Sequence, residues 1–269
     1  DPIAALRQAL ERDQPDAVLI SLRNLDNVTW PASTSYLPYL TELVAVCKAS
    51  TRVILGGSGF SLMPREILAV CGADIGVVGE GEELLPRLLD CLARGNDPAE
   101  LPGVVLPGRA NFRPPEPVSR ISTPDRTLFD VTRYLNEGGM ANLQTKRGCP
   151  FSCSYCTYPL LEGQKVRLRP VPEIMAEISE LVIGHGIDYL YFVDDIFNYP
   201  LAFAEQLCQA ILASGLRFNW SAFINPGLLT PQLLELMQQA GCDAFEFGTE
   251  SGSPLMLLNL RKGFTLEQV

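Results

Sequence analysis

Three cysteines stand close together in Gly148-Cys149-Pro150-Phe151-Ser152-Cys153-Ser154-Tyr155-Cys156, separated by three and then two residues. Three thiolates on one tight loop can hold three irons of a [4Fe–4S] cluster and leave the fourth iron open, whereas a structural zinc site asks for four closed ligands. The missing fourth ligand favours the cluster. Zinc could still recruit Cys208, Cys242 or His185, although these fall within or beside helical patterns and lack paired spacing. Arg147 precedes the loop and Arg167 and Arg169 follow it, so positive charge is at hand for an anionic centre, although ordinary surface pairing accounts for them equally well.

The loop's position follows from the apolar runs around it. Four strands are expected at 142–146, 189–194, 217–223 and 244–248, with helices at 172–183, 201–213 and 231–240 and Gly184, Gly215 and Gly241 as their stops. This is a βα repeat of about thirty residues, the pattern of a (β/α) barrel, in which the loops after the strands carry the chemistry. About four units fit before Val269, so an incomplete barrel is expected over 141–269. Upstream, strands are expected at 17–23, 52–55 and 74–78, alternating with helices at 36–48, 64–70 and from 82 to near Arg94. That alternation reads as a doubly wound α/β domain over 1–100. Residues 101–140 hold six prolines and little periodicity and are read as a linker.

The motif Cys149-x3-Cys153-x2-Cys156, with Tyr155 before the third cysteine, resembles that of the radical S-adenosylmethionine (SAM) superfamily, and the likeness covers residue 142 to the end. The resemblance implies that the open iron chelates SAM, and that one electron cleaves it to methionine and a 5′-deoxyadenosyl radical. It gives Tyr155 a contact with the adenine. It also assigns the acids of Val193-Asp194-Asp195-Ile196 to the ammonium of SAM, and Glu250 and Ser251 of Phe247-Gly248-Thr249-Glu250-Ser251 to its ribose or methionyl part. The family's common Gly-Gly-Glu form is absent. Asp194 and Asp195 could instead cap the next helix, and Glu250 could pair with Arg261 or Lys262.

The first half resembles a cobalamin-binding domain: Ser21-Leu22 after one strand, Gly56-Gly57-Ser58-Gly59 after the next and Gly79-Glu80-Gly81-Glu82 after the third match its Ser-x-Leu, Gly-Gly and following elements. Glycines there would let a bulky nucleotide tail run beside the sheet, where a side chain would block it. A dinucleotide site competes for Gly57-x-Gly59, but Leu62 stands where its third glycine belongs. The resemblance leaves the lower cobalt face to the loop after Ser21, which offers Arg23, Asn24, Asn27 and Trp30.

Together these features identify a cobalamin-dependent radical SAM enzyme, expected to methylate an unactivated carbon of a small-molecule or peptide substrate. A flavodoxin or ferredoxin would supply the electron. A cobalamin-containing cyclase or rearrangement enzyme, or a cobalamin or cluster sensor, would share the same motifs. A methylthiotransferase would bring a second cysteine trio, whereas Cys47, Cys71 and Cys91 are scattered. The 269 residues carry 21 Lys and Arg against 31 Asp and Glu, a net charge of −10 that disfavours phosphate backbones. No apolar run approaches a membrane span, and eight cysteines without a disulfide pattern suit a reducing cytoplasm. The chain opens on Asp1 rather than Met, and truncation at both ends is expected.

Overall fold

A computed structural model describes residues 1–109 and 112–269. Two compact units result, Asp1–Ser119 and Arg120–Val269. In the first, α1 (Pro2–Asp13) leads to β1 (Ala17–Ser21), α2 (Leu37–Lys48) and β2 (Arg52–Gly56). A short α3 (Ser58–Leu62) and α4 (Pro64–Cys71) precede β3 (Ile75–Val77), α5 (Gly81–Ala93) and β4 (Val104–Val105). Strands β1, β2 and β3 are parallel neighbours, and β4 adds antiparallel to β3. Side chains alternate across the sheet, so Val53 and Leu55 meet Leu40, Val44, Ile67 and Leu68, while Ile54 meets Leu84 and Leu88 of α5. Helices therefore cover both faces.

The proline-rich stretch is not a free connector. Its first part belongs to the first unit through β4 and through Glu80 and Glu83, which accept hydrogen bonds from the backbone of Val118 and Ser119 at 2.9 Å. Its second part forms α6 (Val131–Asn136) of the other unit. Ala110 and Asn111, within the expected linker, lie outside the described residues.

The second unit continues with β5 (Ala141–Leu143), β6 (Lys146–Arg147), α7 (Tyr158–Leu161), β7 (Arg167–Leu168) and α8 (Val171–Ser179). There follow β8 (Tyr189–Phe192), α9 (Leu201–Ser214), β9 (Asn219–Ile224), α10 (Pro231–Gln239), β10 (Cys242–Phe247) and α11 (Pro254–Asn259). Strands β5, β8, β9 and β10 form one parallel sheet in sequence order, the consecutive βα units of a partial barrel. Leu143, Leu190, Phe192, Trp220 and Ala222 pack beneath Ile174, Ile178, Leu207 and Met237 of the helices. The opposite face, with Tyr191 and Phe223, stays open.

The strand expected over 142–146 breaks after Leu143. The N–H groups of Thr145 and Lys146 turn to Asp194 Oδ1 at 2.6 and 3.2 Å, so the chain leaves the sheet and pairs β6 with β7 instead.

A buried ion triad ties 120–140 to this sheet. Glu177 Oε1 lies 2.7 Å from Arg126 Nη2, and Oε2 lies 2.7 Å from Arg169 Nη2, while Arg126 and Arg169 also donate to the carbonyls of Asn142 and Gln144. The side chains of Glu177 and Arg169 are each 1% exposed, so removing the carboxylate leaves buried cations unpaired. Glu177→Gln should destabilise the protein by about 3–5 kcal/mol, read as a lower urea midpoint at unchanged slope. An unmoved midpoint would contradict the role given to the triad.

Candidate active site at the strand ends

Residues 148–166 form an excursion between β6 and β7, and it is closed at its base. Cys149 N–H donates to Gly163 O at 3.1 Å, Gly148 N–H donates to Glu162 Oε2 at 3.0 Å, and Arg167 reaches Glu162 O at 2.9 Å. Gly148 has φ +95°, and a Cβ there would stand 2.5 Å from Lys165 O, so only glycine allows the crossing. The three motif cysteines share this excursion, Cys149 buried and the others half-buried.

The N–H groups of Phe151 and Tyr158 donate to the sulfurs of Cys149 and Cys156. Burial nevertheless outweighs these donors and pushes Cys149 up to about 11 and Cys156 upward as well, so stable thiolates here need a cation beyond the loop's own dipoles. Cys208 and Cys242 are pushed up to about 12 by burial, and Cys208 packs in the core as a small hydrophobe. Among the described residues no three His, Cys, Asp or Glu side chains converge as one mononuclear ion would require. Neither Cys208 nor Cys242 nor His185, which caps the turn after α8, completes a zinc set with the loop.

The two acids after β8 part company. Asp194 is buried and saturated: it accepts from Thr145 N–H, Lys146 N–H and Thr145 Oγ1, and it pairs with Lys146 Nζ at 2.9 Å. Lys146 completes its own set with Phe197 O at 3.0 Å and lies over the Phe197 and Phe203 rings. Asp194 thus holds the fold rather than a ligand, a correction to the expectation that both acids face the ammonium of SAM. Asp195 does not cap a helix either, because α9 begins after Pro200 without a side-chain cap. Its Oδ2 is buried without a partner. Burial first, then the neighbouring Glu162 and Asp194, raises its carboxyl to about 7, and its charge acts on Cys149 and Cys156.

Tyr155 projects from the loop half-exposed, its hydroxyl donating to Glu250 Oε1 at 2.9 Å and accepting from Lys262 Nζ at 2.6 Å. Glu250 stands at φ +64°, and Ser251 spends its hydroxyl on the N–H of Ser253. Spacing alone did not single out Lys146 or Lys262 for the site.

In the first unit, Ser21, Gly56, Gly57, Gly79 and Gly81 line one hollow of about 430 Å³ on the α5 side of the sheet, with Leu19, Val77 and Leu85. Leu19 is 45% exposed in mid-strand, an uncovered apolar floor. Leu22 and Arg23 lie in a separate hollow on the α2 side with Tyr36 and Tyr39. Ser58 and Glu80 serve the backbone: Ser58 Oγ donates to Arg23 O at 2.9 Å, and Glu80 holds Val118. Trp30 is 91% exposed.

Gly57 borders the hollow, but the direction a side chain would take is filled by the protein's own backbone. A Cβ there would lie 2.6 Å from Leu22 O, and Gly59 would meet Arg23 O at 2.8 Å. These glycines let the turn after β2 press on the loop after β1, where Gly59 N–H donates to Leu22 O at 2.9 Å.

Residues 143–269 match the model of the radical SAM superfamily, and residues 1–89 match that of the B12-binding domain. The two matches follow one another along the chain, the B12-binding domain first and the radical SAM domain second. An uncharacterized methyltransferase of Pyrococcus horikoshii is 29% identical over 90% of this chain and 54% of its own length. The tryptophan 2-C-methyltransferase of Streptomyces laurentii is 25% identical over 94% of this chain and 53% of its own. The solved radical SAM methyltransferase TsrM of Kitasatospora setae, with tryptophan and a SAM analog bound, superposes with a TM-score of 0.86 at 24% identity, over all of this chain and 54% of that one. The chain therefore spans about half the length of the relatives it matches.

Because Gly57 combines φ +99° with the contact at Leu22 O, Gly57→Ala should cost about 1–3 kcal/mol whether or not cobalamin is added. Thermal melting with and without cobalamin measures this, and a loss confined to the cobalamin-bound sample would show that the ligand, not the Leu22 carbonyl, requires glycine there.

Proposed function

We propose that this chain is the cofactor-binding part of a cobalamin-dependent radical SAM methyltransferase acting on an unactivated carbon of a small-molecule or peptide substrate. The observation that carries this reading is the pairing of three thiols on a loop closed at its base with an orphaned carboxylate oxygen, Asp195 Oδ2, beside two of them. The donor set fits a cluster with one open iron, and the unpartnered carboxylate fits a cationic ammonium. When bound, cluster and SAM supply hydrogen-abstracting radical chemistry, and cobalamin supplies a transferable methyl group.

The chain's own residues then divide the work. Cys149, Cys153 and Cys156 would hold the cluster, Asp195 would accept from the ammonium of SAM, and the exposed ring of Tyr155 would offer a face to its adenine. Glu250 and Ser251 would border the same ligand. Thr145, Lys146 and Asp194 keep the Asp195 backbone fixed. In the first unit the hollow over Leu19 fits a bulky planar ligand, because Gly56, Gly79 and Gly81 keep its rim low. Ser21 and Gly57 would border that ligand, while Arg23 and Trp30 come from the loop that would approach the lower cobalt face.

All eight cysteines are free, which suits a reducing cytoplasm, and no helix among the described residues is long and apolar enough to cross a membrane. A flavodoxin- or ferredoxin-type protein would donate the electron.

Anaerobic reconstitution with iron, sulfide, cobalamin and SAM, followed by mass spectrometry, tests the reading. Deoxyadenosine together with a methylated product is expected. Deoxyadenosine with an unmethylated, rearranged product would make the protein a cyclase, and no turnover of SAM in any form would make it a sensor. Cys149→Ala, Cys153→Ala or Cys156→Ala should each abolish the brown iron–sulfur absorbance, whereas Cys208→Ala should retain it. Asp195→Asn should weaken SAM binding at least tenfold, about 1.4 kcal/mol, with little change in melting temperature. Asp194→Asn should instead lower the melting temperature, since it leaves Lys146 buried without its anion. Equal SAM affinity in the Asp195 variant would remove that residue from the site.

A further inference from the structure

Lys262 is a buried cation that the cofactor reading does not use. Its residue is 7% exposed, although it follows the short surface helix α11. The ammonium donates to Tyr155 Oη at 2.6 Å, stands 3.9 Å from Glu250 Oε1, and lies over the rings of Tyr155 and Phe264 at 5.1 and 5.7 Å. The site is built tightly around it, for a Cβ on Gly248 would come within 3.3 Å of both Lys262 Nζ and Glu250 Oε1.

The segment that carries Lys262 is fastened to the cysteine loop. Ser154 N–H donates to Leu260 O at 3.0 Å, between Cys153 and Cys156, and Gly263 packs against the Phe151 ring. Tyr155, which the ammonium meets at 2.6 Å, is the chain neighbour of Cys156. Glu250, the nearest anion, is 44% exposed at its side chain, so solvent screens it more than the buried ammonium.

An anionic centre held by thiolates gains negative charge on reduction, and a buried cation beside it favours the reduced form. We propose that Lys262 is a positioning residue for the iron–sulfur centre, pinning the Cys149–Cys156 loop through Tyr155 and shifting the centre's reduction equilibrium towards the reduced state. This rests on the cluster reading of the three cysteines.

The test uses the full chain, reconstituted anaerobically with iron and sulfide, with the cluster's midpoint potential followed by EPR. Lys262→Met, which keeps the side chain's length without the charge, should retain iron, since all three thiolates remain. Its reduction equilibrium should fall by roughly tenfold, a downward shift of about 59 mV for a one-electron couple. Lys262→Arg should restore most of that shift. Lys262→Gln provides the same reading should the Met variant fail to fold. A midpoint unchanged in a cluster-bearing neutral variant overturns the inference and leaves the cluster reading intact. Failure of the unaltered chain to take up iron overturns both.

Discussion

Everything at the strand ends of the second unit depends on how one carboxylate is satisfied. Asp194 draws in two backbone N–H groups, a hydroxyl and a buried ammonium, all from residues 145 and 146. Because those N–H groups point at Asp194, they cannot continue the ladder with β8, and the chain must leave the sheet. The excursion of 148–166 starts from that departure, and the antiparallel clip of β6 with β7 returns it. An unpaired buried charge is costly, so the arrangement is strongly specified. The same interaction holds the backbone next to Asp195, whose Oδ2 is buried without a partner.

The architecture was readable because apolar periodicity and proline or glycine punctuation agree along most of the chain. Pro64 and Pro231 open helices where expected, and Gly215 ends one in the left-handed conformation. The cysteine loop was legible for the same kind of reason, since its spacing is local. Partnerships between distant residues were not. Two adjacent acids look alike in a sequence, and only the fold decides that Asp194 pairs with Lys146 while Asp195 keeps a buried oxygen unpartnered. Glu250 had Lys262 among its expected partners, but its closest bond is to Tyr155, 95 positions away.

The glycines of the first unit carry two demands at once. After β2 the protein's own Leu22 carbonyl presses on Gly57, which also lines the hollow beside the sheet. Close approach to self and to ligand leave the same signature in sequence. The hollow has its apolar floor in Leu19, left partly exposed on the α5 side of the sheet.

The closed base of the 148–166 excursion bears on the order in which such a protein matures. A loop whose ends are clipped together costs the barrel little when it opens, because the strands and helices outside it keep their hydrogen bonds and core contacts. Insertion of an inorganic centre can then come after translation and folding are finished, on a scaffold already competent to receive it.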